Sequence, residues 1–257
     1  MSRYHPLLPQ YTEEDEYDLT IPRRLFISIE TTGLPKKRNL HPKEYDNFKN
    51  ARLIYISFIV CNINLDIIKI YSEYVNHNIE QRDKPYITHS HQRHKDKILE
   101  INNVRYHGIT LEEYNKSETT FLDAVVALDY YMNRVDFVIA FDIELTLYIL
   151  LSELHRYHYY GMYEQFNSIK TYCVKTNTEK IYMHNNKLNR LYTFVYHLIV
   201  NNIDIVNYNL NLYNYYGYDN CVMIQLLNSN FNPLKKISKL YIVMKYLYDL
   251  EYITGNN

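Results

Sequence analysis

The residues best placed for chemistry lie in RLFISIETTGLPKK, Arg24 to Lys37. Apolar Phe26, Ile27 and Ile29 make this segment read as a strand, and residues two apart in a strand point to the same side, so Ser28 and Glu30 project together. Two carboxylates at that spacing would hold a divalent ion at the strand end, where TTGLP turns the chain away. Only Glu30 is a carboxylate here, because Ser28 offers a neutral hydroxyl that ligates a hard cation poorly. The basic run PKKR, with Arg23 and Arg24, has the charge to contact phosphates, and its plainer reading is a solvated loop.

Other candidate clusters are weaker. The histidines of THSHQRHKDK have no ordered ligand spacing and read as a solvated loop or helix face. NYNLNLYNYYGYDN could stack bases, but the chain holds 30 tyrosines, so tyrosine clustering has little specificity. Cys61, Cys173 and Cys221 lie far apart without zinc spacing, which fits a reducing, intracellular setting in the cytoplasm or nucleus.

Positioning Ser28 and Glu30 requires a sheet. RLFISIE, ARLIYISFIVCNI and LDIIKIYSEYV read as three strands in succession, a meander with NINLD as one turn. From Thr119 the period becomes helical, and TTFLDAVVALDYYMNRV puts Phe121, Val125, Leu128 and Met132 on one face. DFVIAF reads as a short buried strand, and IELTLYILLSELHRYHYY as a helix ending near Gly161, with Asp142 as its N-cap. SIKTYCV is a further strand, KLNRLYTFVYHLI and DNCVMIQLLNSN are helices, and a last helix runs from about Pro233 to Tyr252. This order predicts an α/β fold, a mixed central sheet flanked by helices. The expected organisation is an arm over residues 1–22, a domain over 23–232, and a C-terminal helix within 233–257 packed on that domain.

Charge and composition set bounds. A chain of 257 residues can bury one sizeable core, and a formal net charge of -1 provides no global field to draw it onto nucleic acid. Any such binding must come from local clusters. No apolar run approaches the roughly 18 residues of a membrane span, and the polar, acidic start is unlike a signal peptide. Abundant Asn, Ile and Tyr with no Trp point to an AT-rich genome, such as that of a large DNA virus or an AT-rich parasite.

SIETTGL resembles the first motif of the DEDDh branch of the 3'-5' exonucleases, Asp-x-Glu-Thr-Thr-Gly-Leu, with Ser28 at the first position. YHGIT, Tyr106 to Thr110, is similar to a phrase that often follows the family's early strands. DFVIAFDIELTLYILLSELHR resembles the second motif, and NYYGYDNCVMIQLL the third, His-x-x-x-x-Asp. The resemblance runs in family order from about Arg24 to Leu227 and implies an RNase H-like fold.

In that family four acidic residues hold two divalent ions for phosphodiester cleavage, and a histidine serves as general base. Carried over residue by residue, Glu30 and Asp219 keep their carboxylates, whereas Ser28 and Thr146 replace two others and Asn214 replaces the base. Asp142 and Glu144 lie near Thr146 in sequence, but a helical turn of about 5.4 Å separates Asp142 from it. Glu30 and Asp219 together balance one weakly held Mg2+ or Mn2+ at most, and Asn214 cannot take up a proton. No cofactor is required on this reading.

The implied protein is a degenerate, catalytically inactive exonuclease-like chain. It would be retained to bind a single-stranded nucleic-acid end through Thr31, Thr32, Gly33, Leu34, Lys36 and Lys37, or as a scaffold meeting protein partners through a Tyr-rich surface. The rival is an active, metal-dependent 3'-5' exonuclease with a rearranged site.

Overall fold

The structure of the protein, a computed structural model, describes residues 23–35, 41–77, 109–181 and 233–249. Its sheet is built from β1 (Arg23–Thr31), β2 (Leu53–Cys61), β3 (Ile67–Tyr74), β4 (Val135–Ala140) and β5 (Lys170–Cys173). The order across the sheet is β3-β2-β1-β4-β5. β1, β2 and β3 pair antiparallel, as the meander predicts, and β4 and β5 extend the sheet parallel to β1. β2 is buried along its whole length, so its sequence LIYISFIVC is almost continuously apolar rather than alternating.

The turn between β2 and β3 is an Asn-built turn. Asn62 Oδ1 accepts from the backbone N–H groups of Asn64 and Asp66, both at 2.9 Å. Leu65 completes it at φ 63°, a left-handed conformation that a buried leucine holds only because the turn fixes it.

Six helices are described: α1 (Leu111–Lys116), α2 (Phe121–Met132), α3 (Ile143–Arg156), α4 (Tyr160–Ser168), α5 (Val174–Ile181) and α6 (Pro233–Asp249). Thr120 and Asp123 form a capping box at the start of α2, and the expected stripe Phe121, Val125, Leu128 and Met132 is buried. The stripe joins Leu25, Ile27, Phe58, Val138, Leu150 and Leu154 in the main core on one sheet face. α6 packs against β1 and β2 on the other face, with the Tyr241 ring edge-on to Phe26 at 5.8 Å.

One local expectation is corrected and another holds in position only. The helix that begins after Asp142 does not run to Gly161 but stops at Arg156. His158 adopts φ 64°, while its N–H reaches the His155 carbonyl at 3.1 Å and Tyr159 N–H the Leu154 carbonyl at 2.8 Å. This is a Schellman ending with histidine where glycine is usual, and Gly161 lies inside α4. Asp142 does occupy the N-cap position of α3, but its side chain makes no capping bond. The helices expected over 187–199 and 219–230, and the residues 1–22, lie outside the described residues. Among the described residues no helix is long and apolar enough to cross a membrane.

Candidate functional site

The carboxyl ends of the three parallel strands β1, β4 and β5 lie side by side, the position where open α/β sheets commonly bind ligands. Glu30 stands near the end of β1, only 7 % exposed. Cross-strand partners share a face, so the register makes two rows beside it. Glu30 pairs across to Tyr55 and Tyr74, and Ser28 to Ser57 and Ser72. The Tyr55 and Tyr74 rings meet edge to face at 5.0 Å, and the Tyr55 hydroxyl shares a 2.5 Å hydrogen bond with Ser72 Oγ. Ser28 and Glu30 therefore do lie on one sheet face, in a row of hydroxyls rather than carboxylates.

Glu30 has a cationic partner. Lys236, in the first turn of α6, places its ammonium on Glu30 Oε1. Burial pushes the Glu30 carboxyl above its usual range, and the Lys236 charge opposes that shift. At the end of β4, Asp142 Oδ2 lies 3.2 Å from Lys175 Nζ, which enters from the start of α5. Lys175 N–H also donates to the Phe141 carbonyl at 2.9 Å, so β4 and β5 are tied at their ends. Thr146 lies in the first turn of α3, half-buried, and Glu144 beside it is exposed.

The loop after β1 is fixed by its own hydroxyls. Thr31 Oγ1 donates to the Gly33 carbonyl at 2.5 Å, and Thr32 Oγ1 to the Asn50 carbonyl at 3.0 Å. Thr32 Oγ1 also accepts from the Arg52 N–H at 3.0 Å. These bonds hold Leu34 outward, 68 % exposed, at the rim. Lys36, Lys37, Asn214 and Asp219 lie outside the described residues.

The described residues do not fit a pair of divalent ions. Glu30 is already neutralised by Lys236, Ser28 and Thr146 carry no charge, and Asp142 is neutralised by Lys175. Among the described residues no three His, Cys, Asp or Glu side chains gather as a metal set.

Sequence reasoning singled out neither Lys236 nor Lys175. Lys236 carried one signal: a cation in the first turn of a helix opposes the helix dipole, and this turn holds no acidic residue. Lys235 stands in the same turn, so the signal does not single out Lys236, which is the one that meets Glu30.

No family model matches the chain, and no curated protein does. Among solved structures it is similar to Escherichia coli exonuclease I in a zinc-bound complex with single-stranded DNA, with TM-score 0.54 and 10 % identity over 90 % of this chain and 41 % of that one. The same enzyme with a dA16 oligonucleotide gives TM-score 0.53 at 10 % identity, over 89 % of this chain and 41 % of that one. With a dT13 oligonucleotide the TM-score is 0.51 at 11 % identity, over 90 % and 43 %. The fold is the RNase H-like fold of these exonucleases, as the motif order implied. This chain spans less than half the length of the solved structures it matches.

Proposed function

We propose that this chain is a degenerate exonuclease-fold protein that holds the end of a single-stranded nucleic acid without cutting it. The observation that carries the reading is Ser28 beside Glu30 on one face at the end of β1, a single carboxylate where a two-ion site needs a cluster. Thr146 at the start of α3 adds a second neutral position. Two ions there would leave an excess of positive charge, and without them neither the attacking water nor the leaving oxygen is stabilised. The similar structures of exonuclease I hold single-stranded DNA, which supports a strand end as the ligand. The rim with Leu34 and the half-buried Thr31 would receive it beside the sheet face that carries Glu30.

The test incubates purified protein with end-labelled single-stranded DNA and RNA in Mg2+, Mn2+ and chelator, beside a Glu30→Ala, Asp219→Ala double variant. The expected result is retention of oligonucleotide at low salt, weakening as salt rises, with no shortening in any lane. Metal-dependent shortening that vanishes in the double variant would instead establish a rearranged enzyme. Failure to retain either oligonucleotide would remove nucleic acid as the ligand and leave the scaffold role.

A further inference from the structure

A buried carboxyl group stays ionised only where a cation balances it, because burial otherwise favours the protonated, neutral form. Glu30 is such a group, and its face of the sheet lies under α6. The cation it meets belongs to the chain itself.

The position of Lys236 is set by a rigid element. Every residue of α6 from Ile237 to Met244 is buried, Ser238 and Lys239 included, so the helix is enclosed on all sides and cannot shift freely on the sheet. Tyr241 fixes the helix twice, by its ring against Phe26 and by its hydroxyl, which donates to the Leu65 carbonyl at 2.9 Å. Phe26 and Glu30 point from the same face of β1, two pleats apart, so the contact that seats Tyr241 also sets where Lys236 meets the sheet. The Lys236 side chain is 49 % exposed, which places its stem along the rim and its ammonium on the carboxylate.

The neighbouring strand end repeats the arrangement, since Asp142 after β4 has Lys175 as its ammonium. Each of these two carboxylates thus has a cation from a following helix, and the charges balance without an ion from solution. A divalent ion approaching Glu30 would meet a fixed positive charge and would have to displace it.

We propose that Lys236 serves as an intramolecular cation in the place a divalent metal would take on Glu30, so that Glu30 in the native protein does not bind Mg2+ or Mn2+. Ligand binding at the rim beside this face is then independent of divalent metal, and α6 is joined to the sheet by charge as well as by packing. The inference rests on the reading of a cleft without catalysis, but its test contains no nucleic acid. Loss of oligonucleotide binding would therefore remove the strand end as ligand and leave this inference standing.

The experiment measures Tm with and without millimolar Mn2+ for the full chain, Glu30→Gln, Lys236→Met and the Lys236→Met, Glu30→Gln double variant. Native protein and Glu30→Gln are expected to respond alike to Mn2+. Lys236→Met is expected to melt lower and to regain about 2–4 °C in Mn2+, a gain absent from the double variant. A Mn2+-induced rise in the native protein that Glu30→Gln abolishes would overturn the proposal, as would a folded Lys236→Met variant indifferent to Mn2+. If Lys236→Met does not fold, the comparison of native protein with Glu30→Gln decides alone, equal responses supporting the proposal and a rise that depends on Glu30 overturning it.

Discussion

Arg52 Nε donates to Glu153 Oε1 at 2.7 Å with both side chains shut away from solvent, 6 % and 0 % exposed. The pair joins the residue just before β2 to the last turn of α3. Arg52 also bonds Thr32 through its backbone in both directions, so the anchor extends to the loop after β1. Burial alone would push the Glu153 carboxyl up, but Arg52 and then Arg156 more than offset it and bring it down to about 2.

Breaking this pair should be costly. Glu153→Gln leaves the buried Arg52 without its carboxylate, and Arg52→Met leaves Glu153 only the 3.7 Å contact with Arg156, so the expected loss is about 3–5 kcal/mol for Glu153→Gln and smaller for Arg52→Met, read from urea unfolding midpoints. The double replacement Arg52→Met, Glu153→Leu removes both charges and should lie closer to the native protein than either single variant. Additive losses in the double variant would mean that the two side chains do not act as a pair.

The same network should make the protein sensitive to acid. His77 Nε2 donates to the Leu53 carbonyl at 2.5 Å, which fixes the neutral tautomer, and Nδ1 accepts from the Tyr157 hydroxyl at 2.7 Å. Arg52 in turn donates to that hydroxyl at 3.3 Å. Burial first, then the Arg52 charge, bring the imidazole down to about 3, against the opposing pull of Glu153 and the Leu53 carbonyl. A folded pKa below the unfolded value of 6.5 gives stability that is fully present above pH 6.5 and is lost as pH falls toward 3. The expected slope is about 1.4 kcal/mol per pH unit within that window. His77→Gln can keep both hydrogen bonds without titrating, so unfolding midpoints measured between pH 7 and 4.5 should fall less steeply. Parallel profiles would show that His77 does not carry the acid response.

What the sequence disclosed and what it withheld divide along a physical line. Strands and helix faces were legible because burial imposes a period: Phe121, Val125, Leu128 and Met132 read as one stripe and are one stripe. The Ser28 and Glu30 pairing on one face followed from the strand period alone. The ion pairs were not legible, since Lys236 meets Glu30 and Arg52 meets Glu153 across long stretches of chain and no local pattern encodes either meeting. The end of α3 was misplaced for a related reason. Glycine is the usual signal for a left-handed residue, but here the turn between α3 and α4 imposes that conformation on His158.

Tyr241 tests how α6 is held to the sheet. Tyr241→Phe keeps the ring against Phe26 and removes only the bond to the Leu65 carbonyl, so a loss of about 1 kcal/mol is expected. Tyr241→Ala removes the ring as well and should cost about 3–5 kcal/mol. Thermal melting of the two variants separates these contributions. If Tyr241→Phe costs as much as Tyr241→Ala, the hydroxyl and the strained turn at Leu65 hold the helix, and the ring contact contributes little.

Ser28→Asp asks whether the face around Glu30 behaves as one electrostatic site. The new carboxylate would share the face with Glu30 two residues along β1, with the single Lys236 ammonium between two negative charges. Like charges so placed repel, and the expected loss at neutral pH is about 1–3 kcal/mol. Unlike the native protein, the variant now has more negative than positive charge at the strand end, so millimolar Mn2+ should restore part of the lost stability. Trimming of oligonucleotides is not expected to appear, because Thr146 and Asn214 still lack the groups that a two-ion reaction needs. A Ser28→Asp variant as stable as the native protein and indifferent to Mn2+ would mean that residue 28 lies outside the field of Glu30. The neutral hydroxyl at Ser28 would then say nothing about lost metal binding.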